Sequence, residues 1–155
     1  MSIVKLSKSN LIGLEWTIKP KEIPEFIFES AKLESDLIWN SEYTNKNSLS
    51  GLPRTKENLY RDCLLGKLGE YFLMSVFDYI DDTEKYHDLI SPTGIRTEVK
   101  TFRDINPKQY KIDKLISKLK KRKSDRNNWF KSTEVIIILY DRNTSIFKIH
   151  GVYDI

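Results

Sequence analysis

The sequence predicts an α/β protein built on one mixed β-sheet flanked by helices, preceded by an N-terminal hairpin and helix. Three observations carry that expectation. Apolar residues recur at helical spacing in two stretches, one from Thr55 to about Phe77 and one following Asn106-Pro107. Between them, Ser91-Pro92-Thr93-Gly94 is a turn signal flanked by two extended arms. Near the end, Val135-Ile136-Ile137-Ile138-Leu139-Tyr140 is a continuous β-branched run, as expected of a strand covered on both faces. With 155 residues there is room for one domain, residues 1–155, with an appendage over 1–54 and a core over 55–155.

In the appendage, Ile3 to Leu6 and Leu11 to Ile18 are expected to pair as a hairpin around Ser7-Lys8-Ser9-Asn10. Pro24 to Trp39 reads as a helix with Phe26, Ile27, Phe28, Leu33, Leu37 and Ile38 partly inward. Residues 40–54, rich in Ser and Asn and ending in Gly-Leu-Pro-Arg, read as a loop.

The core opens with the 55–77 helix. Leu59, Cys63, Gly66, Glu70, Leu73 and Phe77 recur at intervals of three and four and fall on one face. Glu70 is thus a carboxylate on an apolar stripe, and burying it unpaired would cost several kcal/mol. Gly66 and Gly69 each cost about 1 kcal/mol relative to Ala inside a helix, so a close neighbour is expected beside Glu70. Cys63, the sole cysteine, is expected to be a buried thiol. Trp16, Trp39 and Trp129 are expected in packing roles.

The hairpin follows. Pro at the second and Gly at the fourth turn position suit a type I turn closed by a left-handed residue. Ser91 then pairs with Ile95, and stepping back along both arms sets Asp88 opposite Glu98, with Cβ atoms about 5 Å apart. On the second arm Arg96, Glu98, Lys100 and Phe102 share one face and Ile95, Thr97, Val99 and Thr101 the other. Two carboxylates so close repel unless a cation lies between them, and a divalent ion meets that need.

Charge is unevenly spread. Residues 100–131 hold 12 Lys or Arg against 3 Asp or Glu, whereas the rest of the chain holds 14 against 19. In the helix expected from Asn106, Ile112, Leu115, Ile116 and Leu119 form the inward stripe. Lys111, Lys114, Lys118 and Lys121 line the outward one, a pattern that suits a polyanion. Lys67 and Arg103 complete the candidate nucleic-acid contacts. After the core run, Asp141 to Ser145 is a turn cluster, and Ile146 to His150 alternates as a partner strand.

The D…ExK spacing of Asp88, Glu98 and Lys100, preceded by the Gly-x-x-Gly-Glu helix ending at Glu70, resembles the core motif of the PD-(D/E)XK nuclease superfamily. The resemblance spans roughly residues 66–140. It implies a restriction-endonuclease-like fold, Mg²⁺ (or Mn²⁺) held by Asp88, Glu98 and Glu70 with the Val99 carbonyl, and Lys100 assisting a water that attacks a phosphodiester. It also implies an extra strand between Glu70 and Asp88, where only 17 residues stand, so that strand must be very short, fused to the helix end near Val76 to Ile80, or absent. His87 replaces the family's usual Pro. The partners implied are nucleic acid, DNA ahead of RNA, and a homodimer, since many relatives dimerise to cut two strands. A catalytically inactive nucleic-acid-binding module of the same fold is the alternative. With no leader and no apolar run near 18 residues, an intracellular, cytoplasmic protein off the membrane is expected.

Overall fold

A computed structural model describes residues 8–40, 54–81, 88–125 and 131–155. The chain divides into two compact units, residues 1–17 with 69–155 and residues 18–68. The division differs from the expected boundary at 54/55 because the first strand belongs to the sheet, while the front of the long helix belongs with the helix before it.

The larger unit contains α1 (Lys8–Leu11), β1 (Glu15–Thr17), β2 (Ile80–Asp81), β3 (Leu89–Ile90), β4 (Arg96–Phe102), α4 (Gln109–Asp125), β5 (Glu134–Asp141) and β6 (Ile146–Asp154). The six strands form one mixed sheet in the order β1-β6-β5-β4-β3-β2. β4 and β5 run parallel, joined through α4, and every other neighbouring pair is antiparallel. The expected N-terminal hairpin is corrected. Residues 8–11 are helical, residues 1–7 lie outside the described residues, and β1 pairs with β6 from Glu15↔Lys148 to Thr17↔Ile146.

Alternation along β4 and β5 sorts their side chains to two faces. Val135, Ile137 and Leu139 pack with Ile112, Leu115 and Leu119 of α4, and Phe102 joins them. This is the inward stripe expected of that helix, with Ile116 at its margin. The helix starts at Gln109 and not at Asn106-Pro107, and ahead of it the Asn106 N–H donates to the Asp104 carboxylate in a local turn. Trp16 stacks on Phe72 at a centroid distance of 5.2 Å and meets Phe147 at a tilt at 5.5 Å, which gives Trp16 its expected packing role. Trp129 lies outside the described residues.

The smaller unit holds α2 (Glu25–Asn40) and the front of α3 (Lys56–Phe77), a helix that continues into the larger unit. Thr55 caps α3 by accepting the Asn58 N–H on its hydroxyl at 3.1 Å. Its far end is closed by Asp78 in the left-handed region, φ 57°. Within the smaller unit Ala31, Leu59 and Cys63 form a buried cluster that Trp39 joins. Burial, with Glu34 adding to it, pushes the Cys63 thiol up to about 12, which keeps it protonated at neutral pH. On α2, Ile27 and Ala31 are the buried apolar positions, whereas Phe26, Leu33 and Leu37, expected inward, are exposed.

Candidate active site

The hairpin has the expected geometry. The Gly94 N–H donates to the Ser91 carbonyl at 2.9 Å, and Gly94 has φ 85°, the left-handed conformation that glycine enters without a Cβ clash. The Ser91 N–H donates to the Ile95 carbonyl at 2.8 Å, which fixes the register. Leu89 then faces Thr97, and the regular ladder ends there. Continued one step further, the same register would set Asp88 opposite Glu98.

At this point the Asp88 side chain takes over from the ladder. Its Oδ2 accepts the Val99 N–H at 2.8 Å. In a strand a residue's N–H and C=O leave on the same edge, so the Val99 carbonyl points to the Asp88 side as well. The Arg96 carbonyl, three residues earlier, points the other way and accepts the Thr133 N–H at 3.0 Å. A carboxylate and a carbonyl are thus presented along one edge of β4.

Glu98 is 7 % exposed, and its carboxylate lies 3.3 Å from the Lys100 ammonium. Such a carboxylate requires a cationic partner, and Lys100, two residues on and on the same face, supplies one. Parallel pairing places Glu98 beside Val135 and Lys100 beside Ile137, which puts both on the α4 face of the sheet.

The α3 side is different. A Cβ on Gly69 would run into the Thr101 hydroxyl and lie 3.4 Å from Ile138 Cδ1, so this glycine is the close approach expected near Glu70. Thr101 and Ile138 are register partners on the face opposite Glu98 and Lys100. Among the described residues a Cβ on Gly66 would meet nothing within 4 Å, and the packing role expected of it is corrected. The buried face of α3 follows Leu65, Leu68, Phe72 and Leu73, which leaves Glu70 half-buried at its margin. Among the described residues no group of three or more His, Cys, Asp or Glu is placed to hold a metal ion. Glu70, Asp88 and Glu98 are thus not gathered as a group of three.

A second buried carboxylate escaped the sequence reading. Glu134, 3 % exposed, accepts the Thr97 hydroxyl at 3.2 Å on the α3 side of the sheet. Tyr79 lies in its field. Burial, reinforced by Glu134, raises the Tyr79 phenol to about 12. The only sequence signal was a charge at the head of an apolar run, which reads equally well as a strand boundary.

Of the basic residues singled out, Lys111, Lys114, Lys118 and Lys121 are all exposed along α4, and Arg103 is exposed beyond β4. The last turn of α4 returns to the level where β4 begins. Lys123 donates to the Ile155 carbonyl at 3.0 Å, and the Ile155 N–H donates to Thr133, beside Arg96. Lys67 belongs to the smaller unit, where its ammonium meets Glu34 at 3.0 Å.

No helix among the described residues is long and apolar enough to cross a membrane. No protein-family model, curated protein or solved structure matches this chain.

Proposed function

We propose that this protein is a metal-dependent nuclease of the PD-(D/E)XK type that hydrolyses phosphodiester bonds of nucleic acid, DNA ahead of RNA. The observation that carries the reading is the Asp88 carboxylate seated on the Val99 N–H at 2.8 Å, together with a buried Glu98 that contacts Lys100 at 3.3 Å. The element order supports it. A long helix is followed by a two-residue strand, the Asp arm, the ExK strand, a helix and a strand parallel to the ExK strand. The resemblance left room there for a very short strand, one fused to the helix end near Val76 to Ile80, or none, and among the described residues Ile80–Asp81 is a strand paired with β3.

The donor set fits Mg²⁺ or Mn²⁺. Hard oxygens suit these ions, and Mg²⁺ commonly takes one or two carboxylates while keeping several waters. Asp88 and Glu98 would hold the ion with the Val99 carbonyl, and Glu70 drops out of the holding set. When bound, such an ion acts as Lewis acid and lowers the pKa of a coordinated water. The chain's own part is positional and electrostatic. The Val99 N–H fixes one Asp88 oxygen, and the half-exposed Lys100 offers positive charge beside the carboxylate pair, where phosphoryl charge would grow.

A nucleic-acid-binding module without catalysis is the second reading, favoured by the want of a third converging carboxylate among the described residues. Incubation with linear, nicked, branched and single-stranded DNA and with RNA, in Mg²⁺ or Mn²⁺, separates the two. Cleavage that is abolished by chelator and by Glu98→Gln supports the nuclease. Binding without cleavage on every substrate supports the module.

A further inference from the structure

α4 carries an exposed aromatic on its cationic face. Tyr110, in the first turn, is 62 % exposed and takes no part in the cluster that Ile112, Leu115 and Leu119 build against the sheet. Lys114 follows it by four residues and Lys121 by eleven, so the three share one side of the helix. Lys111 and Lys118 stand beside them, and all four lysines are exposed. At about 1.5 Å rise per residue, the row from Tyr110 to Lys121 extends about 16 Å. Asp113 is the one acid between Lys111 and Lys121, and it is bonded by the Gln109 amide at 3.0 Å. Ile105, in the segment between β4 and α4, is also exposed and adds apolar surface near the start of the row.

A row of cations explains attraction to any polyanion. An exposed ring at the head of that row adds something specific. The face of a tyrosine stacks on an unpaired base, whereas the faces of duplex bases are covered by their neighbours. We infer that α4 binds single-stranded nucleic acid, with Tyr110 stacking on a base while Lys114, Lys118 and Lys121 follow the phosphates. This inference rests on the nuclease reading only for the class of polymer, and it assigns that polymer an unpaired segment as the preferred substrate. The helix lies on the sheet face that bears Glu98 and Lys100, with its cationic row turned outward from that face.

The test is fluorescence anisotropy with a labelled mixed-sequence oligodeoxynucleotide, single-stranded and as its duplex, with chelator present so that no cleavage intervenes. The wild-type protein should bind the single strand more tightly than the duplex. Tyr110→Ala should weaken single-strand binding about tenfold, the scale of one lost stacked base, and leave duplex binding unchanged. Tyr110→Phe, which keeps the ring, should retain wild-type affinity. Unchanged thermal melting of Tyr110→Ala would confirm that the exposed position does not carry the fold. Equal losses on single strand and duplex, no loss on either, or a duplex preference in the wild type overturns the inference. Cleavage in Mg²⁺, measured separately, keeps the two proposals apart. Stacking without any cleavage defeats the nuclease alone, and cleavage with binding indifferent to Tyr110 defeats the single-strand assignment alone.

Discussion

Replacing Asp88 by Asn isolates the charge of the hairpin from its shape. Asn keeps an oxygen to accept the Val99 N–H, so the 2.8 Å bond survives as a neutral one, at a cost of about 1 kcal/mol. Against this stands relief of repulsion from Glu98. If the two charges stood as close as the Cβ atoms of opposed residues, about 5 Å, they would repel by about 3 kcal/mol at an effective dielectric near 20, which is the upper bound. Lys100, 3.3 Å from Glu98, and solvent at the half-exposed Asp88 reduce that figure substantially. Without metal, Asp88→Asn should therefore melt at the wild-type temperature or up to about 4 °C above it, since 1 kcal/mol moves a chain of this size by about 2–4 °C. Divalent ion reverses the ranking. At Mg²⁺ ten times its dissociation constant, the wild type gains about 1.4 kcal/mol and its melting temperature rises by about 3–6 °C, while Asp88→Asn gains nothing. Thermal melts by circular dichroism in chelator and across a Mg²⁺ or Mn²⁺ titration read both effects. An equal rise in both proteins would falsify the shared site, and a mutant melting far below wild type in chelator would mark Asp88 as purely structural.

Three further outcomes are expected. Lys100→Ala should reduce turnover far more than binding, whereas Lys114→Ala with Lys118→Ala should weaken binding and shrink the salt slope by about 1 per lost phosphate contact, as read in an anisotropy titration over ionic strength. Gly69→Ala should destabilise by about 1–3 kcal/mol through its collision with Thr101, but Gly66→Ala, in open space, should stabilise by up to about 1 kcal/mol; urea midpoints distinguish them. The Tyr79 phenol ionises near 10 when unfolded and at about 12 when folded, so its contribution is full below pH 10 and lost as pH rises through 12, at about 1.4 kcal/mol per unit. Melting temperatures from pH 9 to 12 should accordingly fall less steeply in Tyr79→Phe than in wild type.

What was legible in the sequence was local. The hairpin could be read because turn chemistry at Pro92 and Gly94 dictates the register within a few residues, and alternation then carries it to Asp88 and Glu98. The α4 stripe could be read because a narrow apolar row on a lysine-rich helix leaves one way to face the sheet. Partners distant in the chain were not legible. β1 finds its place against β6, more than a hundred residues later, and nothing in Glu15–Thr17 names that partner.

The long helix shows how a periodic pattern misleads when a helix serves two surroundings. The row from Leu59 through Glu70 to Phe77 assumed one buried face along all of α3. Up to Leu68 the helix belongs with α2, and from Gly69 it belongs with the sheet; Leu59, Cys63 and Leu73 are buried as the row expects, while Leu65, Leu68 and Phe72 are buried outside it. Glu70 stands just past that change. Its neighbour Gly69 packs on Thr101 and Ile138, on the opposite side of the sheet from Glu98 and Lys100. Among the described residues Glu70 is not gathered into a group of three acids that could hold a metal ion. The proposed chemistry accordingly depends on Asp88, seated on the Val99 N–H, and on Glu98 beside Lys100. Glu70→Gln should then spare the metal response that Asp88→Asn removes.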